Sequence, residues 1–159
     1  MKVFTLRLKP KEDLKQSLQL FVAEKQIFAG CILTTVGSLE QAGVRFADRP
    51  VARILRRRFE IISLAGTLSI HGVHLHIGLA DSWGRMVGGH LSQGCIIYTT
   101  AEIVLAELPH YEFDRQLDRH TGYSELVIHH RGEELLPWGW GEEVRSRNNR
   151  ASTNKEWGD

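Results

Sequence analysis

The sequence predicts an α+β domain, mainly an antiparallel β-sheet with one or two helices. Three observations carry this. Val3 to Leu8 alternates, with Phe4, Leu6 and Leu8 on one side and Thr5 and Arg7 on the other, the period of a strand. Asp13 to Gln26 then changes to helical spacing, with Leu14, Leu18, Phe21 and Val22 on one stripe. Phe59 to Ala80 contains two β-rich runs about Ser69–Gly72, the pattern of a hairpin.

The elements follow in order. Pro10 ends the first strand, and Ala29-Gly30 closes the helix. Cys31 to Val36 is a short apolar, β-branched run that reads as a buried strand, with Gly37-Ser38 as its turn. Gly43 to Ala47 reads as another strand, leading to a loop at Asp48-Arg49-Pro50. Phe59 to Leu68 and Val73 to Ala80 are the hairpin strands, followed by a turn at Asp81–Gly84 and a glycine-flanked loop at Gly88-Gly89-His90. Cys95 to Leu108, rich in Ile, Thr, Tyr and Val, reads as a long central strand. Phe113 to Tyr123 reads as a polar excursion and Leu126 to His130 as the last strand. Residues 1–136 form one expected domain, and 137–159 a polar tail with little to bury, expected to be disordered.

The chain has 159 residues, enough for one self-sufficient core. Twenty basic against nineteen acidic residues leave a formal charge of +1, so any nucleic-acid or membrane partner would have to use a local patch. Cys31 and Cys95 sit in apolar runs and read as buried free thiols. No apolar run approaches the roughly 20 residues of a membrane helix, and the N-terminus lacks the character of a signal peptide. The expected location is cytoplasmic.

The chemistry concentrates in His74-Leu75-His76 and, fourteen residues on, His90. Alternate strand residues share a face about 6.5 Å apart, so His74 and His76 can address one ion with Leu75 in the core. His90, carried back by its glycines, would be the third ligand. Three neutral imidazoles with an open fourth position is the arrangement of catalytic zinc. A pair of alternate histidines is weak evidence alone, since surface strands carry histidines by chance. His71 reads as a turn residue, and His110, His120, His129 and His130 as surface or strand-end residues.

Candidate partners for a metal are Glu102, a carboxylate in an apolar strand, and Arg85, in the loop between the ligands. The bland readings are a strand-edge residue and a solvated loop residue. Separately, Arg45, Arg49, Arg53, Arg56, Arg57 and Arg58 face the single carboxylate of Asp48 over residues 45–58. Such a stretch suits phosphate contacts, with Arg53, Arg56, Arg57 and Arg58 as the DNA-binding candidates, but nothing beside it supports sequence-specific readout.

Several motifs together resemble the plants and prokaryotes conserved (PPC) domain, a domain of unknown function. They are Phe59-Glu60-Ile61-Ile62-Ser63-Leu64-Ala65-Gly66-Thr67, His74-Leu75-His76-Ile77, and Gly84 through Val87-Gly88-Gly89-His90. Ala29-Gly30, Val36-Gly37-Ser38-Leu39 and Thr99 through Glu102 add support, so the resemblance runs from about Phe4 to about His130. It implies an α+β fold assembled as a homotrimer, similar to that of acetolactate decarboxylase, and a metal on His74, His76 and His90 as in prokaryotic members. Plant members lack these histidines and bind DNA through an AT-hook; this chain has no Arg-Gly-Arg-Pro hook. The expectation is therefore a zinc-binding, oligomeric module with a DNA-binding or regulatory role. The alternative is a zinc-dependent enzyme, lyase-like or hydrolase-like, taking a small carbonyl or carboxylate compound at the metal.

Overall fold

The computed structural model describes residues 1–132. Strand β1 (Lys2–Leu8) leads into helix α1 (Leu14–Glu24), then β2 (Gly30–Arg45), β3 (Arg53–Leu55), β4 (Phe59–Ser69) and β5 (Gly72–Ala80). β6 (Met86–Leu91), β7 (Ile96–Glu107), β8 (Tyr111–Leu117) and β9 (Ser124–His130) complete it. The fold is α+β with an antiparallel sheet, as its periodicities predict.

The helix forms where its sequence can be capped. The Asp13 carboxylate accepts from the Gln16 backbone N–H at 2.9 Å, and from Gly94 N–H at 2.6 Å, so it also ties the helix to the sheet. Leu14, Leu18 and Val22 bury one stripe against the sheet, and Phe21 meets Phe4 edge-on with ring centroids 5.6 Å apart.

Seven strands form the main sheet in the order β1-β7-β2-β4-β5-β6, with β3 on β2. β2 also pairs β6, through Val44 with Leu91 and Arg45 with His90. The β2-β4-β5-β6 portion therefore curls until its last strand returns to the far end of β2. Irregularities near Leu33, Ser38 and Glu40 allow β2 that curvature. Gly37-Ser38 is thus no turn: it lies inside one strand that merges the two predicted at Cys31–Val36 and Gly43–Ala47. Gly37 has a positive φ of 151°, the local signature that mimics a turn.

Two further expectations change. Gly88-Gly89-His90 belongs to β6, paired with β5 throughout and with β2 at His90, not looped. The polar stretch from Phe113 is the first arm of a hairpin, β8 with β9. That hairpin is anchored by Leu108 N–H donating to Ala29 O at 2.8 Å and Phe113 N–H to Phe28 O at 2.9 Å. One α-helix is present among the described residues, and the predicted tail at 137–159 lies outside them.

The core lies between helix and sheet, where Leu14, Leu18, Phe59, Leu68, Leu75, Ile77, Leu79, Leu91 and Ile103 are essentially fully buried. On β5 these are the odd positions, so His74 and His76 are forced to the opposite face. The Cys95 thiol is buried in the core and donates to Gly43 O at 3.3 Å. Burial pushes its pKa up to about 12, so it stays an unreactive thiol. No helix is long and apolar enough to cross a membrane among the described residues.

β4 lies close against β5 at Gly66, whose φ is 141°; a Cβ there would lie 2.0 Å from the His74 carbonyl oxygen. Gly66→Ala is expected to lower stability by about 2–3 kcal/mol through backbone strain and displacement of β5. A urea titration checks this; an unchanged midpoint contradicts it.

Candidate metal centre

The register of three strands assembles the cluster. β5 pairs β6 with His76 opposite His90, and β5 pairs β4 with Thr67 opposite His74 and Ala65 opposite His76. Gly89 lets β6 lie close against β2, since a Cβ there would meet Arg45 O at 2.6 Å. The three rings face one another with centroids 5.3 Å apart for His74–His76, 4.9 Å for His74–His90 and 5.7 Å for His76–His90. One ligand nitrogen from each lies within 4.8 Å of the others. Two nitrogens on a tetrahedral zinc sit roughly 3.3 Å apart, so small side-chain rotations suffice to close the set.

A second observation bears on the fit. Nδ1 of His90 is buried and makes no hydrogen bond among the described residues. An unsatisfied buried nitrogen of this kind costs about 1–3 kcal/mol, a penalty that a bound partner removes. Three imidazoles also match the ligand preference of zinc. The residues present therefore fit a divalent metal.

The surroundings of His74 and His90 favour the neutral ring, the form that binds metal. Burial lowers the pKa of His90 from 6.5 to about 4, helped by the Arg45 guanidinium beside it and by His74. Burial, then Arg115 and His76, also lowers that of His74. Arg115 comes from β8: its guanidinium donates to Thr67 Oγ1 at 2.9 Å and to His74 Nδ1 at 3.3 Å.

The turn between β5 and β6 is fixed by Asp81. Its buried carboxylate accepts from the backbone N–H groups of Trp83 and Arg85 at 2.9 and 3.0 Å, and Arg57 lies 3.4 Å away. Burial alone would raise that carboxyl; the two N–H donors and Arg57 outweigh it and hold it below the usual range.

The other candidates lie elsewhere. Arg85 is exposed in that turn, five residues of strand from His90, or about 17 Å. Glu102 is exposed on β7 between Arg7 and Val36, with β2 and β4 separating it from β5, about 14 Å across the sheet. Neither is brought to the histidines. His71 turns to Glu112 at 3.1 Å, and His110, His120, His129 and His130 are exposed and outside the cluster. Cys95 faces the core and is not a fourth ligand. Of the arginine stretch, Arg53 and Arg56 are exposed, Arg57 covers the Phe59 ring at 5.4 Å and Arg58 the Tyr98 ring at 4.1 Å.

Sequence reasoning missed Arg115 and the position of Arg45 beside His90. Arg115 shares its strand parity with the buried Phe113, so the alternation of Tyr111, Phe113, Arg115 and Leu117 was the available signal.

Comparison with known proteins agrees with this architecture. The Plants and Prokaryotes Conserved (PCC) domain matches residues 1–109. The chain belongs to that family. A solved protein from Salmonella cholerae-suis, described as hypothetical, is 40% identical with a TM-score of 0.81, over 82% of this chain and 95% of its own. A metal-containing protein from Archaeoglobus fulgidus is 28% identical with a TM-score of 0.71, over 80% of this chain and 94% of its own. The bifunctional protein GlmU of Synechococcus sp. (strain JA-3-3Ab) is 50% identical over 137 residues, 86% of this chain but 22% of that protein. This PPC chain thus spans about a fifth of the length of that curated relative.

The low pKa of His90 has a testable sign. The unfolded chain takes up this proton near 6.5 and the folded chain only near 4, so the contribution to stability is complete above 6.5 and is lost as pH falls towards 4. NMR of the metal-free protein should show the His90 ring titrating near 4; a midpoint near 6.5 contradicts the burial argument.

Proposed function

We propose that this PPC domain is a divalent-metal module that holds zinc on His74, His76 and His90. The observation that carries the reading is the convergence of three imidazoles on one sheet face, with a buried His90 Nδ1 that has no hydrogen-bond partner among the described residues. The donor set is nitrogen only, which favours zinc over magnesium or calcium. The metal-containing relative from Archaeoglobus fulgidus supports it as a likeness of fold and sequence.

Assembly as a homotrimer is part of the proposal. The pairings carry one outer face across the sheet, from Val3 opposite Ala106, to Cys31, to Thr67, to His74. Val3, Leu33, Val36 and Ile62 are 50–56% exposed on β1, β2 and β4 of this sheet. Apolar surface of this kind is what self-association covers.

Contact with DNA is the regulatory part of the reading, and the geometry narrows its basis. Arg57 and Arg58 are engaged with Asp81, Phe59 and Tyr98, which leaves Arg53 and Arg56 as the freer cations for phosphate. The attraction would be non-specific and salt-dependent. The enzyme reading, on a small carbonyl or carboxylate compound, draws support from one feature: the three donors face an open groove and no fourth protein ligand among the described residues.

Purified protein loaded with zinc should retain about one zinc per chain after desalting. His76→Ala should weaken zinc binding by at least about tenfold without unfolding the chain, since its side chain is exposed. Zinc content indifferent to all three His→Ala substitutions overturns the reading. For DNA, Arg53→Ala with Arg56→Ala should flatten the salt dependence of duplex binding, reducing the log–log slope by about 0.9 for each phosphate no longer neutralised. Binding that ignores both substitutions removes the arginine basis.

A further inference from the structure

Beside the histidine face lies a groove of about 420 Å³ whose lining includes Arg45, His74, His90, Arg115, Tyr123 and Glu125. A second groove of about 430 Å³ shares His74, Arg115 and Glu125 and continues past His76 to Leu126. Arg115 and Glu125 stand between the two. The size is that of a small-molecule site.

Its charge is unusual. Arg45 and Arg115 are both half-buried, and neither forms an ion pair with a carboxylate among the described residues. The β2–β6 pairing sets Arg45 opposite His90, and its guanidinium reaches the Arg49 carbonyl at 3.5 Å, while Arg115 donates to Thr67 Oγ1 at 2.9 Å and to His74 Nδ1 at 3.3 Å. Glu125, the one carboxylate in the lining, is engaged by Thr121 Oγ1 at 3.0 Å. Two guanidiniums brought to one groove by separate elements, neither paired with a carboxylate among the described residues, are a recognition device for carboxylate or phosphate.

We infer that this groove is an oxyanion subsite: Arg45 and Arg115 take the carboxylate or phosphate of a small ligand, whose other end faces the histidine cluster. The anion-holding half rests on the arginines alone. The orientation towards His74, His76 and His90 rests on the proposed metal reading.

The contact to His74 adds a coupling. A guanidinium only donates, so His74 Nδ1 is the acceptor in that bond. A metal held through Nε2 leaves the proton on Nδ1, where it cannot accept. Metal on His74 Nε2 would thus free the Arg115 N–H now spent on His74, with Thr67 still holding the side chain, so metal and oxyanion would bind with positive cooperativity.

Inorganic phosphate and acetate are the two probes, titrated separately by NMR into the metal-free protein at low ionic strength. The expected result is saturable shifts confined to the backbone amides of Thr67, His74, Arg115 and Tyr123. The probe that binds tighter identifies the oxyanion. Arg115→Met and Arg45→Met should each weaken binding by about tenfold or more, and Arg115→Lys by less, because lysine keeps the charge without the fork. Arg85→Met, a surface arginine elsewhere, should change nothing. Zinc at one equivalent should tighten binding of the preferred probe in the wild type and not in Arg115→Met.

Shifts spread over the surface arginines, or binding unchanged in both methionine variants that retain a dispersed spectrum, overturn the inference. His76→Ala separates it from the metal reading. Oxyanion binding that survives in that variant while zinc is lost supports both; zinc retained by a wild type that takes no oxyanion sinks the subsite alone.

Discussion

The pairing of β5 between β4 and β6 is the constraint on which the site depends, because one register decides three positions at once. It sets His76 opposite His90, leaves His74 two residues away on the same face, and lays Thr67 beside His74. The register is enforced from the other side of the strand. Leu75, Ile77 and Leu79 are buried, and a slip of one residue would send all three to solvent and the imidazoles into the core. At about 1.5–3 kcal/mol for each apolar side chain, that exchange costs about 5–9 kcal/mol, a large share of the roughly 5–15 kcal/mol by which a domain is stable. Core packing thus holds the metal face in place without any contact of its own to a metal.

The closure of β6 onto β2 adds the electrostatic character. The pairing sets Arg45 opposite His90, where partial burial and then that guanidinium keep His90 neutral well below physiological pH. Burial, with Arg115 next, also lowers the pKa of His74. The same two cations disfavour protonation of His74 and His90 and would attract an anion beside them, so one pair of side chains shapes both the basicity of the rings and the charge of the groove.

Much of this was legible in the sequence, and the failures have physical reasons. The spacing of His74 and His76 on a strand is fixed by a period of two, and the buried alternation made the strand itself visible. The family resemblance placed His90 with them. Its setting was misread because glycines that permit close strand approach look the same in sequence as glycines that form loops. Gly37 misled in the same way, since a bulge and a turn both use positive φ. Arg115 was out of reach for another reason: its partners Thr67 and His74 are 48 and 41 residues away, and only tertiary packing of the β8–β9 hairpin brings them together. Glu102 and Arg85 were chosen by chain proximity and residue type, neither of which reports distance across a curled sheet.

X-ray absorption at the zinc edge of the loaded protein tests the central claim most directly, because it reads the ligand set without relying on any activity. The account predicts three imidazole nitrogens at about 2.0–2.1 Å with one or two further light oxygen or nitrogen scatterers. A sulfur scatterer near 2.3 Å, or fewer than three imidazoles, would contradict it.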